Sequence, residues 1–391
     1  MKILAISSRI PSSGKKGDQV VSFFRLMHLA RSNTVVLVCF GDITKAEDRE
    51  AKQALEALGI VVHFVLWKPF VALAHLLKAI FNPLMPFQCA LFQSGEFKRT
   101  VNTLRIGFKP DALYCVMVRV FPNIAQNKSR VFVDMVDSMG LNFSRRVSMA
   151  KGLKRWLLDL ECRRVCRFER NVALQATQSF VVSKIDQKSI GIDKVHAIPL
   201  GIDMQQFNKN RGNPKPGPVI AFTGNMGYQP NIDAVQWFIQ NCWPQIKSLI
   251  PEVQLIIAGS NPHPSVLAFG KHESAIKVTG RVPSVAAILN TASVAIAPMQ
   301  SGSGMQFKIL EAMACATPTV TTSLGLGDIS ATPGKDIMVA DSSPDFIQAV
   351  LSLLASTQLS AAIGDSGMEY VRNHHSWEAI NEQFVEICGI S

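Results

Sequence analysis

Small residues and charged residues are grouped in residues 297–320 with the spacing of an anion-binding site. A short loop that contains Gly302 and Gly304 precedes a run with helical periodicity. Glycines let backbone N–H groups approach a ligand closely, and the N-terminus of a helix adds a partial positive charge. The pattern is therefore typical of a cradle for a phosphate or a sugar diphosphate.

The helix predicted after this loop carries two charged residues on one face. Gly304, Lys308, Glu311 and Cys315 fall at i, i+4, i+7 and i+11, which places them on the same side of a helix. Lys308 can neutralise a phosphate, and Glu311 can accept hydrogen bonds from a ribose diol. The two residues also fit an ordinary i,i+3 ion pair on a solvated face, and this alternative stays open.

Strand-like and helix-like runs alternate along the whole chain. Buried strands are predicted over residues 2–7, 34–40, 61–66, 112–118, 130–136, 180–183, 219–222, 254–258, 275–278, 293–297 and 319–322. Helices are predicted over residues 19–30, 46–58, 233–249, 284–292 and 306–316. This alternation predicts an α/β fold with parallel sheets that are covered on both faces.

The length of 391 residues and a polar segment near the middle predict two domains. Residues 1–200 form the first domain, 201–218 a linker, 219–375 the second domain and 376–391 a closing helix. Two doubly wound sheets in one chain place a ligand-binding cleft between them. The closing helix either completes the second domain or crosses back onto the first, and both arrangements stay open.

The net charge of +11 is concentrated in the first half, where residues 1–200 carry 30 Lys+Arg and 15 Asp+Glu. Basic and apolar side chains interleave in residues 143–171, which include Trp156, and again in residues 67–81. Both runs are typical of helices that lie on an anionic membrane surface, although two ordinary half-buried helices fit as well. No nucleic-acid partner is expected, because three tyrosines in the chain do not form an aromatic–basic platform.

The eight cysteines contain no CxxC pair, so neither a zinc site nor a disulfide framework is expected and a reducing cytosol fits better. Residues 1–11 are too short an apolar run for a signal peptide. The longest apolar stretch, residues 70–92, is interrupted by Lys78, Pro83 and Pro86. No transmembrane segment is therefore expected.

Several motifs in the right order resemble retaining GT-B glycosyltransferases of family 4. They are VHAIPLGID (195–203), FTGNMGYQPNIDAVQWF (222–238), LIIAGS (255–260), VTGRV (278–282), KILEAMACATPTV (308–320), GLGD (325–328) and SWE (376–378). VVSKID (181–186) is similar to the closing strand and helix of the family's acceptor domain. The resemblance covers most of the second half and scattered parts of the first, and it is greatest to a bacterial exopolysaccharide-associated branch.

The resemblance implies two facing Rossmann-like domains, of which the second binds a nucleotide sugar and the first binds the acceptor. It implies retaining transfer of a sugar from a UDP- or GDP-sugar to a hydroxyl of a glycan or lipid-linked glycan precursor of a bacterial surface polysaccharide. Neither a metal nor a cofactor beside the nucleotide-sugar co-substrate is expected, because helix termini and basic side chains carry the charge of the diphosphate. We expect a cytoplasmic enzyme, peripheral on the inner face of the cytoplasmic membrane.

Candidate site residues come from both halves of the chain. Lys308 and Arg281 are expected to hold the departing diphosphate, and Asp137 is expected to orient the acceptor hydroxyl, although Asp137 also fits as a helix N-cap. The loop at residues 12–19 faces the diphosphate in the family, although a plain exposed turn fits it too. The residues expected to contact the donor are Gly14, Lys16, Gly17, Gly224, Asn225, Gly302, Ser303, Gly304 and Glu311.

The sequence departs from the family pattern at three places. Ser303 stands where the family usually has a Glu that contacts the hexose, and Asn225 and Met226 stand near the places of an Arg and a Lys. The segment VDMVDSMG offers Asp134 and Asp137 but lacks the common His. Two alternatives to a transferase therefore stay open: a nucleotide-sugar epimerase of the same fold, and a non-catalytic membrane-associated partner of polysaccharide assembly.

Overall fold

The chain folds into two units, each built on a parallel sheet. Met1–Leu200 and the chain from Ile380 onward form the first unit, and Gly201–Ala379 forms the second. This computed structural model describes residues 1–13, 17–124, 129–209, 217–301 and 305–390. The polypeptide therefore leaves the first unit once and returns to it with its last residues.

Seven parallel strands form the sheet of the first unit, in the order β3-β2-β1-β4-β5-β6-β7. They are β1 (Lys2–Ser7), β2 (Thr34–Phe40), β3 (Val61–Val65), β4 (Ala112–Val116), β5 (Arg130–Val136), β6 (Gln178–Val181) and β7 (Val195–Ala197). Apolar residues fill β1, β2 and β4 almost without interruption, because both faces of these strands are buried. The strand β7 lies where the sequence indicated an interdomain segment.

The helices of the first unit cover its sheet and connect its strands. They are α1 (Asp18–Ala30), α2 (Ala46–Ala57), α3 (Pro69–Ile80), α4 (Phe87–Ala90), α5 (Gly95–Phe108), a 3₁₀-helix (Val118–Asn123), α6 (Met139–Met149), α7 (Gly152–Gln175) and α8 (Lys184–Ile190). All eight cysteines of the chain are free thiols.

Six parallel strands form the sheet of the second unit, in the order β10-β9-β8-β11-β12-β13. They are β8 (Val219–Thr223), β9 (Gln254–Ala258), β10 (Ile276–Gly280), β11 (Val294–Ala297), β12 (Thr319–Thr321) and β13 (Met338–Val339). The order reverses direction between β8 and β11, so the carboxyl ends of these two strands flank a topological switch point, where ligands of open α/β sheets bind. Both sheets confirm the predicted parallel α/β fold.

Nine helices occur in the described chain from Gly217 onward. They are α9 (Gln229–Asn241), α10 (Trp243–Leu249), α11 (Pro264–His272), α12 (Val285–Thr291), α13 (Phe307–Ala314), α14 (Ser323–Leu326), α15 (Ser343–Ala355), α16 (Thr357–His374) and α17 (Trp377–Cys388). Within the described ranges, no single helix has both the length and the apolar composition to cross a membrane, and α15 with α16 meets the criterion only as a pair bent by 104°.

Two predicted elements are wrong in extent. The helix predicted over residues 233–249 is two helices, since Cys242 leaves the helical conformation between them and Pro244 begins the second with no N–H to donate. The strand predicted over residues 112–118 ends at Val116, because Met117 has a positive φ of 69° and turns the chain into the 3₁₀-helix.

The basic run at residues 143–171 is likewise not one helix. It lies on α6 and α7, which separate at Ala150 and Lys151, and Gly152 begins α7 with a φ of 57°. Glycine adopts this left-handed conformation without a steric penalty. The break leaves the first turns of α7 projecting into solvent, as the exposure of Leu153 shows.

The last helix completes the first unit with a buried polar contact. Arg25 of α1 donates from Nη1 to the carbonyl of Ile380 (3.1 Å) and to Oδ1 of Asn381 (2.8 Å). Asn381 donates in return to the carbonyl of Phe24 at 3.0 Å. The ring of Phe384 is buried in the same unit. The C-terminal end of α17 therefore belongs to the first unit.

Candidate functional site

Lys308 on α13 is a half-buried cation beside the ends of two central strands. Its Nζ donates to Oδ1 of Asn231, lies 3.5 Å from Sδ of Met299 and lies 4.7 Å from the centre of the Phe222 ring. Burial lowers the pKa of the Lys308 ammonium to about 8, although the nearby carboxylate of Glu311 opposes the shift. The ammonium is thus poorly solvated at the carboxyl ends of β8 and β11, where an anionic ligand would replace missing water.

Asn231 holds Lys308 and the β8–α9 loop together. Its Nδ2 donates to the carbonyl of Asn225 at 2.9 Å, while its Oδ1 accepts from Lys308. Gly224 has a φ of 154°, and a Cβ there would lie 2.8 Å from Nδ2 of Asn231. The structure therefore brings the predicted residues Gly224, Asn225 and Lys308 together. Sequence reasoning missed Asn231, although its place in the first turn of the helix after β8 was a usable signal.

A second glycine permits the close approach of two strand ends. A Cβ on Gly259 would lie 1.6 Å from the carbonyl oxygen of Gly224. The backbone N–H of Gly224 in turn donates to the carbonyl of Ala258 at 3.0 Å. No side chain fits at Gly259 without displacing the loop that carries Gly224 and Asn225, so this residue shapes the site although sequence reasoning did not select it.

The start of the loop before α13 is tied to α9. Ser301 donates from Oγ to Oδ2 of Asp233 at 3.1 Å, and Gln229 donates to Oδ1 of the same carboxylate at 2.7 Å. Asp233 therefore fixes the position from which this loop departs. Five predicted donor-binding residues lie outside the described residues, namely Gly14, Lys16, Gly302, Ser303 and Gly304.

The remaining predicted residues of the second unit lie at different depths. Glu311 is half-buried on α13, three residues from Lys308. Arg281 is exposed directly after β10, the strand at one edge of the sheet, two strands and about 10 Å from β8. Within the described ranges no hydrogen bond or ion pair joins Arg281 to Lys308. A direct role for Arg281 thus requires its long side chain to reach along the edge of the sheet.

Asp137 follows β5 directly in the first unit. Its Oδ2 accepts from Nδ2 of Asn142 at 2.9 Å, and burial raises the pKa of the carboxyl above its usual value. The alternative interpretation of Asp137 as a helix N-cap is wrong, because Ser138 caps α6 by accepting from the backbone N–H of Leu141 at 3.1 Å. Asp137 therefore does not cap α6, and its carboxyl group lies at the carboxyl edge of the sheet.

The strand ends beside Asp137 are strained. Val136 has a φ of 65°, which a β-branched residue rarely adopts and which costs about 1–3 kcal/mol. The other carboxylate of this segment, Asp134, lies in the core, where it accepts from the Tyr114 hydroxyl at 3.1 Å and lies 3.5 Å from Nε of Arg25. Asp134 therefore belongs to the core of the unit, whereas the backbone strain lies at the end of the strand, as it does at functional sites.

The loop between β1 and α1 is anchored by an ion pair. Arg9, just after β1, donates from Nε to Oδ2 of the buried Asp18 at 3.2 Å. Gly17 precedes Asp18 with a φ of 66°, and a Cβ there would meet nothing within 4 Å. The backbone conformation, rather than lack of space, accounts for glycine at this position.

Potential metal ligands do not cluster in the part of the chain that the structure describes, where no group of three His, Cys, Asp or Glu side chains could hold a metal ion. Lys308 is a half-buried side-chain cation beside the β8–α9 loop.

Part of the second unit matches a known protein family. Residues 217–356 match the family model described as "Glycosyl transferases group 1". The second unit carries a glycosyltransferase domain. The matched segment contains Lys308, Glu311, Gly224 and Asn225, and the prediction of a transferase is confirmed. None of the curated proteins matches the chain.

Solved structures share the fold over the full length of the chain. HepE from Anabaena, solved with UDP, is 15% identical with a TM-score of 0.63 and 100% coverage of both chains. Sucrose-phosphate synthase from Thermosynechococcus elongatus is 13% identical with a TM-score of 0.63, covering 99% of this chain and 98% of that one. TarM from S. aureus, solved with UDP and glycan ligands, is 12% identical with a TM-score of 0.61 and 99% coverage of both. The GT-B fold with two Rossmann-like domains is confirmed.

Proposed function

We propose that this protein is a retaining glycosyltransferase that moves a sugar from a nucleotide-diphosphate donor to a glycan or lipid-linked glycan precursor of a bacterial surface polysaccharide. The observation that carries the proposal is the half-buried, poorly solvated ammonium of Lys308, held by Asn231 at the switch point of the sheet in the unit that matches the glycosyltransferase family model. A desolvated cation at that place is suited to a diphosphate, because an anion restores the charge balance that burial removes.

The proposed reaction proceeds by attack on the face from which the diphosphate leaves. The bond between the anomeric carbon and the phosphate oxygen breaks, the acceptor oxygen forms the new bond, and the departing diphosphate takes the acceptor's proton. Lys308, assisted by Arg281, stabilises the negative charge that develops on the diphosphate. Asp137 orients the acceptor hydroxyl, and no protein base is required, in keeping with the missing His.

We propose UDP as the favoured nucleotide, with GDP as the second choice. HepE and TarM were each solved with UDP, and HepE also with UDP-glucose. Glu311, one helical turn after Lys308, is positioned on the same helix to accept hydrogen bonds from a ribose diol. Asn225 is exposed, and Asn231 links its backbone carbonyl to Lys308, so this loop lies beside the proposed diphosphate site.

A ligand panel tests the donor site. UDP-, GDP-, ADP- and dTDP-sugars are titrated by calorimetry and saturation-transfer NMR against the wild type, Lys308→Ala and Glu311→Ala. Lys271→Ala, which removes an exposed ammonium of α11, is the matched control. We expect micromolar binding of one nucleotide that both site variants lose and the control keeps. Binding of none of the four would favour the non-catalytic partner over the transferase.

The first unit is proposed to rest on an anionic membrane surface, and α3 gives the first reason. This apolar helix buries two small residues, Ala72 and Ala79, and turns its large side chains to solvent. Phe70 is 86% exposed and Phe81, just after the helix, is 87% exposed. Also exposed are Val71, Leu73, Leu77 and Ile80. A helix that exposes this much apolar surface fits the boundary between lipid headgroups and acyl chains.

The start of α7 extends this surface and adds positive charge. Arg164 in the middle of α7 donates to the carbonyl of Ala79 at 3.3 Å, so the helix packs against the end of α3. The first turns of α7 expose Trp156, which is 62% exposed, together with Leu153 and Leu157. Exposed basic residues of the same turns are Lys151, Lys154 and Arg155. Apolar and basic side chains together are suited to an anionic leaflet.

Vesicle binding tests this surface. We expect the protein to sediment with vesicles of phosphatidylcholine and phosphatidylglycerol, and not with phosphatidylcholine alone. Phe70→Glu and Trp156→Glu should each weaken binding about tenfold, because they place a carboxylate in the interface. Leu324→Glu, at a 48% exposed apolar residue of the second unit, is the matched control. Equal binding by all variants would contradict a docked α3–α7 surface.

A further inference from the structure

Glu169 is a buried carboxylate near the end of α7, with 2% of the residue exposed. Three donors from the start of α6 meet it. Its Oε1 accepts from the backbone N–H of Met139 at 2.6 Å. Its Oε2 accepts from the Ser138 hydroxyl at 3.1 Å and from the backbone N–H of Gly140 at 3.0 Å. Because a carboxylate is costly to bury without donors around it, these bonds fix the start of α6 against α7.

The close approach of α6 to α7 depends on a glycine. A Cβ on Gly140 would lie 2.6 Å from Sγ of Cys166 and 2.9 Å from Oε2 of Glu169. The carbonyl of Gly140 also accepts from the Cys162 thiol at 3.6 Å. A side chain at this position would therefore push Glu169 away from the backbone N–H groups that it binds.

The segment that Glu169 holds comes directly after Asp137. Asn142, one turn into α6, donates to Oδ2 of Asp137 at 2.9 Å. On the other side, Val136 has a φ of 65°, and such strain persists only where the surrounding structure holds the backbone. Asp186 of α8 supplies a second anchor, because it accepts from the backbone N–H of Ser138 at 3.0 Å. The position of Asp137 thus depends on how the start of α6 is held.

We propose that Glu169 is a positioning residue, which acts through the start of α6 to keep Asp137 where it orients the acceptor hydroxyl. The inference rests on the proposed glycosyltransferase function and adds to it a residue that does not touch the substrates. Glu169→Gln is nearly the same in shape, but its amide NH₂ faces a donor from which the lost oxygen accepted. The start of α6 should then move away from α7, and Asp137 should move with it.

A double-mutant cycle tests whether Glu169 acts through Asp137. Release of UDP from a UDP-sugar is measured at about pH 8.5, because burial raises the pKa of Glu169 to about 7 and the carboxylate must be charged. Water takes the place of the acceptor hydroxyl in this assay, so no acceptor need be known. We expect Glu169→Gln to lower kcat about tenfold and to leave KM unchanged, since the proposed donor site lies in the second unit.

The Asp137→Asn background separates positioning from general damage to the fold. There Glu169→Gln should change kcat less than about twofold, because the residue through which it acts is already lost. An equal loss of kcat in both backgrounds would show that Glu169 supports only the fold, and the proposal would be overturned.

Glu161→Gln is the matched control. This buried glutamate of the same helix accepts from the backbone N–H of Phe87 at 2.7 Å, away from the start of α6, and its loss should leave kcat within about twofold. Ser138→Ala replaces Glu169→Gln if that variant does not fold. It removes one donor to Glu169 and should lower kcat about threefold, but only where Asp137 is present. A loss that persists without Asp137 would contradict the proposal.

Carboxyl NMR follows Asp137 without turnover. Its ¹³C signal is assigned as the one that Asp137→Asn removes. Burial raises the pKa of Asp137 in the wild type, so Glu169→Gln should lower that pKa toward about 3.9 as the carboxyl gains water and loses a negative neighbour. Ser138→Ala, which keeps the charge of Glu169, should shift the pKa in the same direction, and Glu161→Gln should not.

UDP binding measured on the same samples separates the two levels of the proposal. Intact UDP binding with an Asp137 titration that neither Glu169→Gln nor Ser138→Ala alters rejects the positioning role alone. Absent UDP binding in the wild type rejects the donor site instead.

Discussion

At the scale of single residues, the described contacts of the half-buried Lys308 ammonium are with uncharged groups, although the carboxylate of Glu311 is nearby. Asn231, Met299 and Phe222 surround its ammonium, so an amide oxygen, a thioether and a ring face replace most of its hydration. Such neighbours stabilise a cation less than water or a carboxylate does, which is why the pKa falls to about 8. A diphosphate would supply the missing charge.

We therefore expect UDP to bind with uptake of a proton above pH 8. In the free protein Lys308 is largely neutral above its pKa of about 8, whereas a bound diphosphate favours the charged form and raises that pKa. The affinity for UDP should then fall as the pH rises further, because protonating Lys308 costs more free energy at higher pH. Calorimetry at about pH 9 in two buffers of different ionisation enthalpy measures the uptake. Lys308→Arg, which stays charged, should bind without it, and equal uptake in both proteins would contradict the assignment.

Turnover gives a second test of Lys308. Lys308→Ala should lower kcat several hundred-fold, in line with loss of one preorganised charge stabiliser worth about 3–4 kcal/mol. The measurement is release of UDP with a saturating UDP-sugar, and Lys271→Ala is again the control. A loss smaller than about threefold would remove Lys308 from the proposed mechanism.

At the scale of elements, the ends of β8 and β9 depend on glycine. Gly259 has a φ of 155°, and its missing side chain leaves room for the carbonyl of Gly224. Gly334 also has a positive φ, 77°, but a Cβ there would meet nothing within 4 Å. Comparing substitutions at Gly259 and Gly334 therefore distinguishes the free-energy cost of an unfavourable backbone conformation from that of a steric clash.

Gly259→Ala should lower the free energy of unfolding of the second unit by more than about 3 kcal/mol, and Tm by about 8 °C or more. Gly334→Ala should cost about 1 kcal/mol, because only the backbone conformation is unfavourable there. Thermal unfolding followed by circular dichroism compares them. Similar losses in the two variants would show that the loop after β8 can move aside.

At the scale of the whole molecule, the first unit contains two distant stretches of chain. Phe384, near the C-terminus, packs its ring 5.6 Å from that of Tyr114 and 4.6 Å from that of Phe180, measured between ring centres. Arg25 lies over the same ring at 4.5 Å. The final helix therefore contributes to the core of the first unit. In the sequence, it is separated from the rest of that unit, which ends at Leu200, by nearly half of the chain.

Phe384→Ala should destabilise the first unit by about 3–5 kcal/mol, since it opens a cavity in this core. Hydrogen exchange should then accelerate in peptides from β4 and β6 and remain unchanged in peptides from β8. Gln383→Ala, at the exposed neighbouring position on α17, should alter neither. Unchanged exchange in β4 and β6 of Phe384→Ala would contradict the packing of the last helix.

Local patterns in the sequence were enough for most of the fold. Central parallel strands are buried on both faces, so β1, β2 and β9 appear as nearly continuous apolar runs with the predicted bounds. The placement of Gly224 near Lys308 was also predictable, because residues that follow neighbouring parallel strands meet at the same edge of a sheet, whereas the roles of both residues stay predictions. Helix breaks were harder: Cys242 interrupts an apolar pattern that continues through it.

Contacts between distant residues were decided by the tertiary structure. The sequence selected Asp137 and gave Asp134 no role, and only packing against Arg25 and Tyr114 assigned Asp134 to the core. The sequence likewise left two places for the last helix, and the burial of Phe384 selected the first unit. The periodicity of a sequence shows which side chains share one face of a helix or strand. Whether that face is buried depends on the residues that pack against it, and these residues are often distant in the chain.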